Sequence, residues 1–123
     1  MKSAVMVTLF AALSLLGFSG AAQAQNCSGH HITVQAKGGH GNQDPYVLVT
    51  PEVYNEKKGC SFEVRIPDGY TTILSSDEAD WLNLSGHGAP IVVTIPDGEA
   101  NGDYKYDVEI VNWADVDPRV RVN

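Results

Sequence analysis

The sequence predicts an all-β fold, a small β-sandwich of about eight short strands with one disulfide. Residues 102–111 alternate apolar and polar side chains with period two, which is typical of a strand with one buried and one solvated face. Short β-rich runs separated by turn residues recur along the chain, and no stretch has the period of an amphipathic helix. We expect residues 102–111 to form a central strand of the sandwich.

The other strands are predicted from alternation, β-branched residues and flanking Gly or Pro. They are residues 31–35, 46–50, 61–66, 70–74, 91–95 and 119–122, with 77–84 forming either a helical turn or a short strand. Residues 37–44 form a predicted loop because they hold three glycines. Residues 51–59 are predicted to lack a strand because they are polar and end in a turn signal.

Residues 1–24 have the parts of a secretory signal peptide. Lys2 precedes an apolar run from Ala4 to Phe18, and Ala22-Gln23-Ala24 supplies the small residues of a cleavage site. The run is too short for a transmembrane helix. We predict cleavage after Ala24, one domain over residues 25–123, and a periplasmic or secreted protein with no membrane association after cleavage.

The charge balance limits the classes of partner. The chain has 15 acidic and 8 basic residues and a formal net charge of −7. Such a charge favours solubility and argues against nucleic acid or an anionic membrane as partner. We expect a monomer whose partner is an unknown protein or small molecule.

Cys27 and Cys60 are the two cysteines of the chain. An even pair in an oxidising compartment predicts one disulfide. A thiolate zinc site is the alternative, but two cysteines this far apart do not have zinc-ligand spacing.

Histidines are the first candidates for a ligand site. Imidazole suits Cu(II) and Zn, and a surface metal site would draw on His30, His31, His40 and His87. Their spacing matches no known ligand pattern, and neighbouring strand residues point to opposite faces. The alternative is four solvated histidines, and we predict no cofactor.

Two other kinds of site are weaker candidates. Residues 97–103 resemble the first half of a calcium loop, but Val108 stands where a bidentate acid is expected, and a polar hairpin loop is the alternative. A hydrolase would need a nucleophile, an acid and a base, for which the sequence offers Ser75 or Ser76, Asp77 and His87. There is no Gly-x-Ser-x-Gly elbow, and we predict that the protein is not an enzyme.

Three segments resemble the cupredoxins, the blue-copper family. Residues 102–108, Gly-Asp-Tyr-Lys-Tyr-Asp-Val, are similar to the penultimate strand of plastocyanin-like members, Gly-x-Tyr-x-aromatic-x-Cys. Residues 25–28 and 60–64, which carry the two cysteines, are similar to the disulfide-bearing segments of the azurin branch. Residues 117–122 resemble the ending of short cupredoxin-like proteins that lack copper. The resemblance implies a Greek-key β-sandwich.

The copper ligands of that family are absent. In an ungapped alignment the Cys, His and Met positions fall on Val108, Val111 and Val116, and the first His lies near Thr71. Blue copper needs a thiolate, two imidazoles and usually a thioether, and valine cannot bind a metal. The sequence therefore predicts a cupredoxin-like domain without blue-copper electron transfer.

Two tryptophans are candidates for partner docking. Trp113 lies in the loop that carries copper ligands in the resembled family, and Trp81 precedes the loop that contains His87. Exposed rings in an acidic rim would anchor a partner, whereas buried rings would fill the space left by the metal. We expect a non-catalytic binding or accessory protein. The alternatives are a histidine-based Cu or Zn binding or carrier protein and, third, a small hydrolase.

Overall fold

The computed structural model describes residues 27–123, which form eleven strands and one short 3₁₀ helix. The predicted signal peptide, residues 1–24, lies outside this range. The strands, named in chain order, are β1 His31–Lys37, β2 Tyr46–Thr50, β3 Val53–Glu56, β4 Ser61–Arg65, β5 Thr71–Ser75, β6 Leu84–His87, β7 Ile91–Thr94, β8 Gly102–Lys105, β9 Asp107–Ile110, β10 Ala114–Val116 and β11 Arg119–Val122. Among residues 27–123, no helix has the length and apolar character needed to cross a bilayer. The all-β prediction is confirmed.

The strands form three sheets that bury one shared core. The first sheet has the order β2-β1-β4-β7, the second β10-β9-β5-β6, and the third β3-β11-β8. Two pairs are parallel, β1 with β4 and β3 with β11, and the others are antiparallel. Apolar side chains from all three sheets meet inside, among them Ile32, Val34, Phe62, Val64, Leu74, Val93, Val108, Ile110, Val120 and Val122.

The predicted long strand over residues 102–111 is two strands that belong to different sheets. The chain changes sheets at Tyr106, whose N–H donates to the carbonyl of Pro118 at 3.2 Å. β8 pairs with β11, whereas β9 pairs with β5 and β10. The alternation of buried and exposed side chains continues through the break, since Tyr106, Val108 and Ile110 are all buried. The pattern therefore predicted the buried face correctly, but the single central strand is instead an outer strand, β8, and an inner strand, β9.

The prediction that residues 51–59 lack a strand is wrong for Val53–Glu56. This segment is β3, which follows β2 after the cis Thr50–Pro51 bond and pairs in parallel with β11. Its two inward side chains are Tyr54 and Glu56, which are 2% and 3% exposed. Alternation was hidden because one of the two buried positions carries a carboxylate.

Two more strands, β6 and β10, lie where loops were expected, and residues 27–123 form eleven strands where about eight were predicted. β6 contains Gly86 and His87, and β10 is only three residues long. Both are outer strands of the second sheet, where short and polar segments pair with a neighbour on one side. Residues 77–84 contain a 3₁₀ turn, Asp80–Leu82, as one of the two alternatives predicted.

The predicted disulfide is confirmed. Cys27 and Cys60 are joined with an S–S distance of 2.00 Å and a Cα–Cα distance of 5.6 Å. Cys60 is buried and directly precedes β4. The bond therefore fastens the segment before β1 to the first sheet.

Candidate functional site

A groove lies where the end of β1 faces the segment that follows β4. Its volume is about 610 Å³. Tyr70 and Trp113 line it, together with Pro67, two glycines, His40 and residues of β1; the complete lining is Val34, Gln35, Ala36, Lys37, Gly38, Gly39, His40, Pro67, Tyr70 and Trp113. A volume of this size is ordinary for a small-molecule or peptide site.

Trp113 is a fixed wall of the groove. Its Nε1–H lies within hydrogen-bonding distance of the carbonyls of Lys37, at 3.0 Å, and Tyr46, at 3.1 Å. The Tyr70 ring meets it edge-on, with 5.7 Å between the ring centroids. Gly39 approaches so closely that an added Cβ would lie 2.5 Å from the indole ring. The ring is half-buried and packs against the core. These hydrogen bonds and packing contacts hold the ring in one orientation.

Trp81 lies at the other end of β5. Tyr70, the partner of Trp113, directly precedes β5, whereas Trp81 follows it. The Trp81 ring packs edge-on against Tyr104 with 5.6 Å between centroids. Its buried Nε1 has no hydrogen-bond partner among the described residues. The structure therefore does not bring the two tryptophans to one surface, and the docking role of each stays a prediction.

The four histidines are spread over the molecule. His30, His40 and His87 are exposed, and His31 begins β1. His87 Nδ1 lies 3.0 Å from Thr71 Oγ1. Within residues 27–123, no three His, Cys, Asp or Glu side chains come together in a way that would hold a metal ion. His40 is the one of the four that lines the groove.

The calcium-like and hydrolase-like residues have other partners. Asp103 accepts two hydrogen bonds from Arg121, at 2.7 and 3.1 Å, so a cation already neutralises this carboxylate. Ser76 Oγ donates to the carbonyl of Lys105 at 2.6 Å and accepts from the N–H groups of Glu78 and Ala79. His87 pairs with Thr71 at the far end of β5 from these serines. The proposed hydrolase residues are therefore not assembled.

The aligned copper positions form two separate pairs. Val108 and Val116 are register partners, and both belong to the second sheet. Val111 N–H donates to the carbonyl of Thr71 at 2.9 Å. Three residues of strand separate Val108 from Val111, a rise of about 10 Å. None of the four side chains has a metal-binding atom except the Thr71 hydroxyl, which lies beside His87.

Sequence reasoning missed an acidic cluster around Asp107. Burial raises the pKa of Asp107, and hydrogen bonds to Asp117 and Asp115 and repulsion from both raise it further, to about 7. Asp107 and Asp117 also line a cavity of about 270 Å³. Asp107 lies eight residues before Asp115 and ten before Asp117, and the antiparallel pairing of Val116 with Val108 brings them together. No local pattern signals such a cluster.

Sequence reasoning also missed a buried carboxylate beside the disulfide. Glu56 accepts hydrogen bonds from Ser28 N, at 3.1 Å, Ser28 Oγ, at 2.7 Å, Tyr54 OH, at 3.0 Å, and Lys57 N, at 3.1 Å. Burial raises its pKa, but these bonds outweigh burial and lower the pKa below the ordinary value. Burial is also the main reason that the pKa of Tyr54 rises to about 12. The bonds from Ser28 join the segment beside the disulfide to β3.

No protein-family description matches the chain, and no curated protein matches it. Function therefore has to be argued from the groove and the residues around it.

Proposed function

We propose that this is an exported, non-catalytic binding or accessory protein, built on a cupredoxin-like sandwich without a copper site. The groove beside Trp113 is the observation that carries the proposal. It combines a fixed indole wall, a second aromatic ring and exposed polar groups, which is the composition typical of ligand sites. By contrast, the residue types expected of a hydrolase are separated by the length of β5.

Several features support the cupredoxin-like assignment. Neighbouring strands such as β1 and β4 are not consecutive in the chain, and long connections of this kind are typical of Greek-key sandwiches. A disulfide joins Cys27, the first described residue, to Cys60 just before β4, and the last strand, β11, contains Val-x-Val. The positions of the family's copper ligands carry three valines and one threonine.

Export is supported by the disulfide. Such bonds form and persist in oxidising compartments, including the bacterial periplasm and the cell exterior. Together with the basic and apolar start of the sequence, the bond favours a periplasmic or secreted protein. The acidic composition favours a monomer that binds neither nucleic acid nor anionic membrane.

A ligand-observed and protein-observed NMR screen tests the binding function. Purified ¹⁵N-labelled protein is titrated with a collection of small aromatic and polar fragments and short peptides. We expect shifts to cluster on the Trp113 indole N–H and the amides of Gly39 and His40. A collection that perturbs none of these signals would contradict the proposal.

A metal titration tests the alternative. Melting temperature is followed while Cu(II) or Zn(II) is added, because a ligand that binds only the native state stabilises it. We expect no stoichiometric shift and no blue absorption. A stoichiometric rise that disappears in His40→Ala or His87→Ala would replace the proposal by a histidine-based metal-binding function.

A further inference from the structure

Among residues 27–123, no strand pairs with the β4 side of β1 beyond Thr33, along the groove. β1 pairs with β2 from Thr33 to Lys37, but it pairs with β4 only from His31 to Thr33. β1 therefore continues past its last partner on the β4 side for a distance of about 13 Å. Because alternate residues direct their N–H and C=O groups to opposite sides of a strand, part of this backbone faces the groove.

The ends of β4 and β1 explain why this edge has no paired strand. β4 ends at Arg65, and Pro67, which lines the groove two residues later, has no N–H to continue a ladder. β1 itself ends at Lys37, because Gly38 and Gly39 take φ values of 71° and 77°, outside the range of a strand. Trp113 then fixes this turn by contact with Gly39.

The charge of the groove is opposite to that of the whole protein. The chain carries 15 acidic residues against 8 lysines and arginines, yet among residues 27–123 the groove lining includes Lys37 and neither Asp nor Glu. An occupant with negative charge would be attracted here and repelled by most of the remaining surface. The two aromatic rings offer contacts for its apolar side chains.

We propose that the groove binds an extended acidic polypeptide segment of a partner protein, which adds to the first sheet as a strand along the free edge of β1. This inference deepens the proposed binding function and rests on it. Main-chain hydrogen bonds to β1 supply affinity that does not depend on sequence. Lys37, His40 and the aromatic walls select acidic and apolar side chains at alternate positions.

Three synthetic peptides of about ten residues test the inference. The first alternates Glu with Val, the second replaces each Glu by Lys, and the third keeps the acidic sequence but has alternate backbone nitrogens methylated. Binding is followed by ¹H–¹⁵N NMR shifts and by amide hydrogen exchange of the intact protein. We expect the acidic peptide to shift Gln35, Lys37, His40 and the Trp113 indole signal, and to slow exchange of amides on the free edge.

Charge and hydrogen bonding are tested separately. The lysine peptide is expected to bind at least tenfold more weakly, and the methylated peptide to lose binding. Lys37→Glu should weaken binding of the acidic peptide roughly tenfold, whereas Lys58→Glu, which changes an exposed lysine outside the groove lining, should not. Circular dichroism and melting temperature show whether each variant is folded.

The outcomes distinguish failure of this inference from failure of the proposed binding function. Equal binding of the acidic and lysine peptides, or acidic-peptide binding that shifts another surface, would overturn the inference. Groove binding that tolerates backbone methylation would overturn strand addition and leave the binding function standing. If small molecules shift the NMR signals of the groove but no peptide binds, strand addition would likewise be overturned and the binding function would stand. Self-association at rising protein concentration that protects β1 would identify a second copy of the chain as the occupant and also overturn the inference.

Discussion

Replacement of Glu56 is expected to destabilise the fold because this carboxylate joins the segment beside the disulfide to β3. Glu56 is 3% exposed and accepts from two main-chain N–H groups and two hydroxyls. In Glu56→Ala the N–H groups of Ser28 and Lys57 lose their partner. The Tyr54 hydroxyl keeps a hydrogen-bond acceptor, because the carbonyl of His30 lies 2.9 Å away.

The magnitude follows from the groups left without partners. Each hydrogen bond to a charged acceptor is worth about 1.5–3 kcal/mol, and the lower end applies here because Ser28 and Lys57 are exposed residues whose N–H groups water can reach. Loss of two such bonds, reduced by the desolvation cost that the removed carboxylate no longer incurs, gives about 2–3 kcal/mol for Glu56→Ala. Glu56→Gln keeps the shape and one acceptor, so we expect a loss of about 1–2 kcal/mol. Glu52→Ala removes an exposed carboxylate and should change stability by less than about 0.5 kcal/mol.

Urea unfolding followed by tryptophan fluorescence measures these differences at neutral pH, with the disulfide intact. The lowered pKa of Glu56 gives a pH test as well. Stability from the ionised carboxylate is complete above the ordinary value of 4.5 and is lost as the pH falls through the lower folded pKa. The gap between the native protein and Glu56→Gln should therefore narrow in acid. A loss below about 1 kcal/mol for Glu56→Ala would refute this account of the network.

Three other substitutions follow from the structure. Gly39→Ala should cost about 2–4 kcal/mol by urea unfolding and shift indole fluorescence, whereas Gly41→Ala, with φ 59° but open space, should cost only about 1 kcal/mol; equal losses would contradict the contact with the ring. Because the pKa of Asp107 is raised in the folded state, the free energy of unfolding should fall as the pH rises from about 4 to about 7. Asp107→Asn should therefore raise the free energy of unfolding by about 1–2 kcal/mol at pH 8 and leave it unchanged at pH 4. A difference that does not depend on pH would contradict this. Replacing Cys27 and Cys60 by Ala opens a crosslink between residues 33 apart and should cost about 3–4 kcal/mol in the same assay, and no loss would show that the bond is dispensable.

Local patterns predicted the parts of the fold that depend on one strand at a time. β2 and β11 have the predicted bounds, and the buried positions of residues 104–110 follow the predicted alternation. The break at Tyr106 was not predictable, because a strand that changes sheets keeps the same side-chain period. β3 was missed since its inward Glu56 is stabilised by Ser28, a partner 28 residues away in sequence.

The candidate site was predictable only in part. Trp113 was singled out from its position in the sequence, and the structure places it in the groove. The free edge of β1 could not be foreseen, because it depends on where the parallel partner β4 stops. Pairing between strands is set by tertiary contacts, and the sequence shows only the turn residues, such as Pro67, that end each strand.

Amide hydrogen exchange of the free protein at the end of β1 tests the central claim most directly. If one edge of the strand faces a groove, Gln35, Ala36 and Lys37 should alternate, with the amides directed at β2 protected and those directed at the groove exchanging fast. Equal and strong protection of all three amides would show that the edge is already occupied, and the groove would then have no backbone to offer a partner.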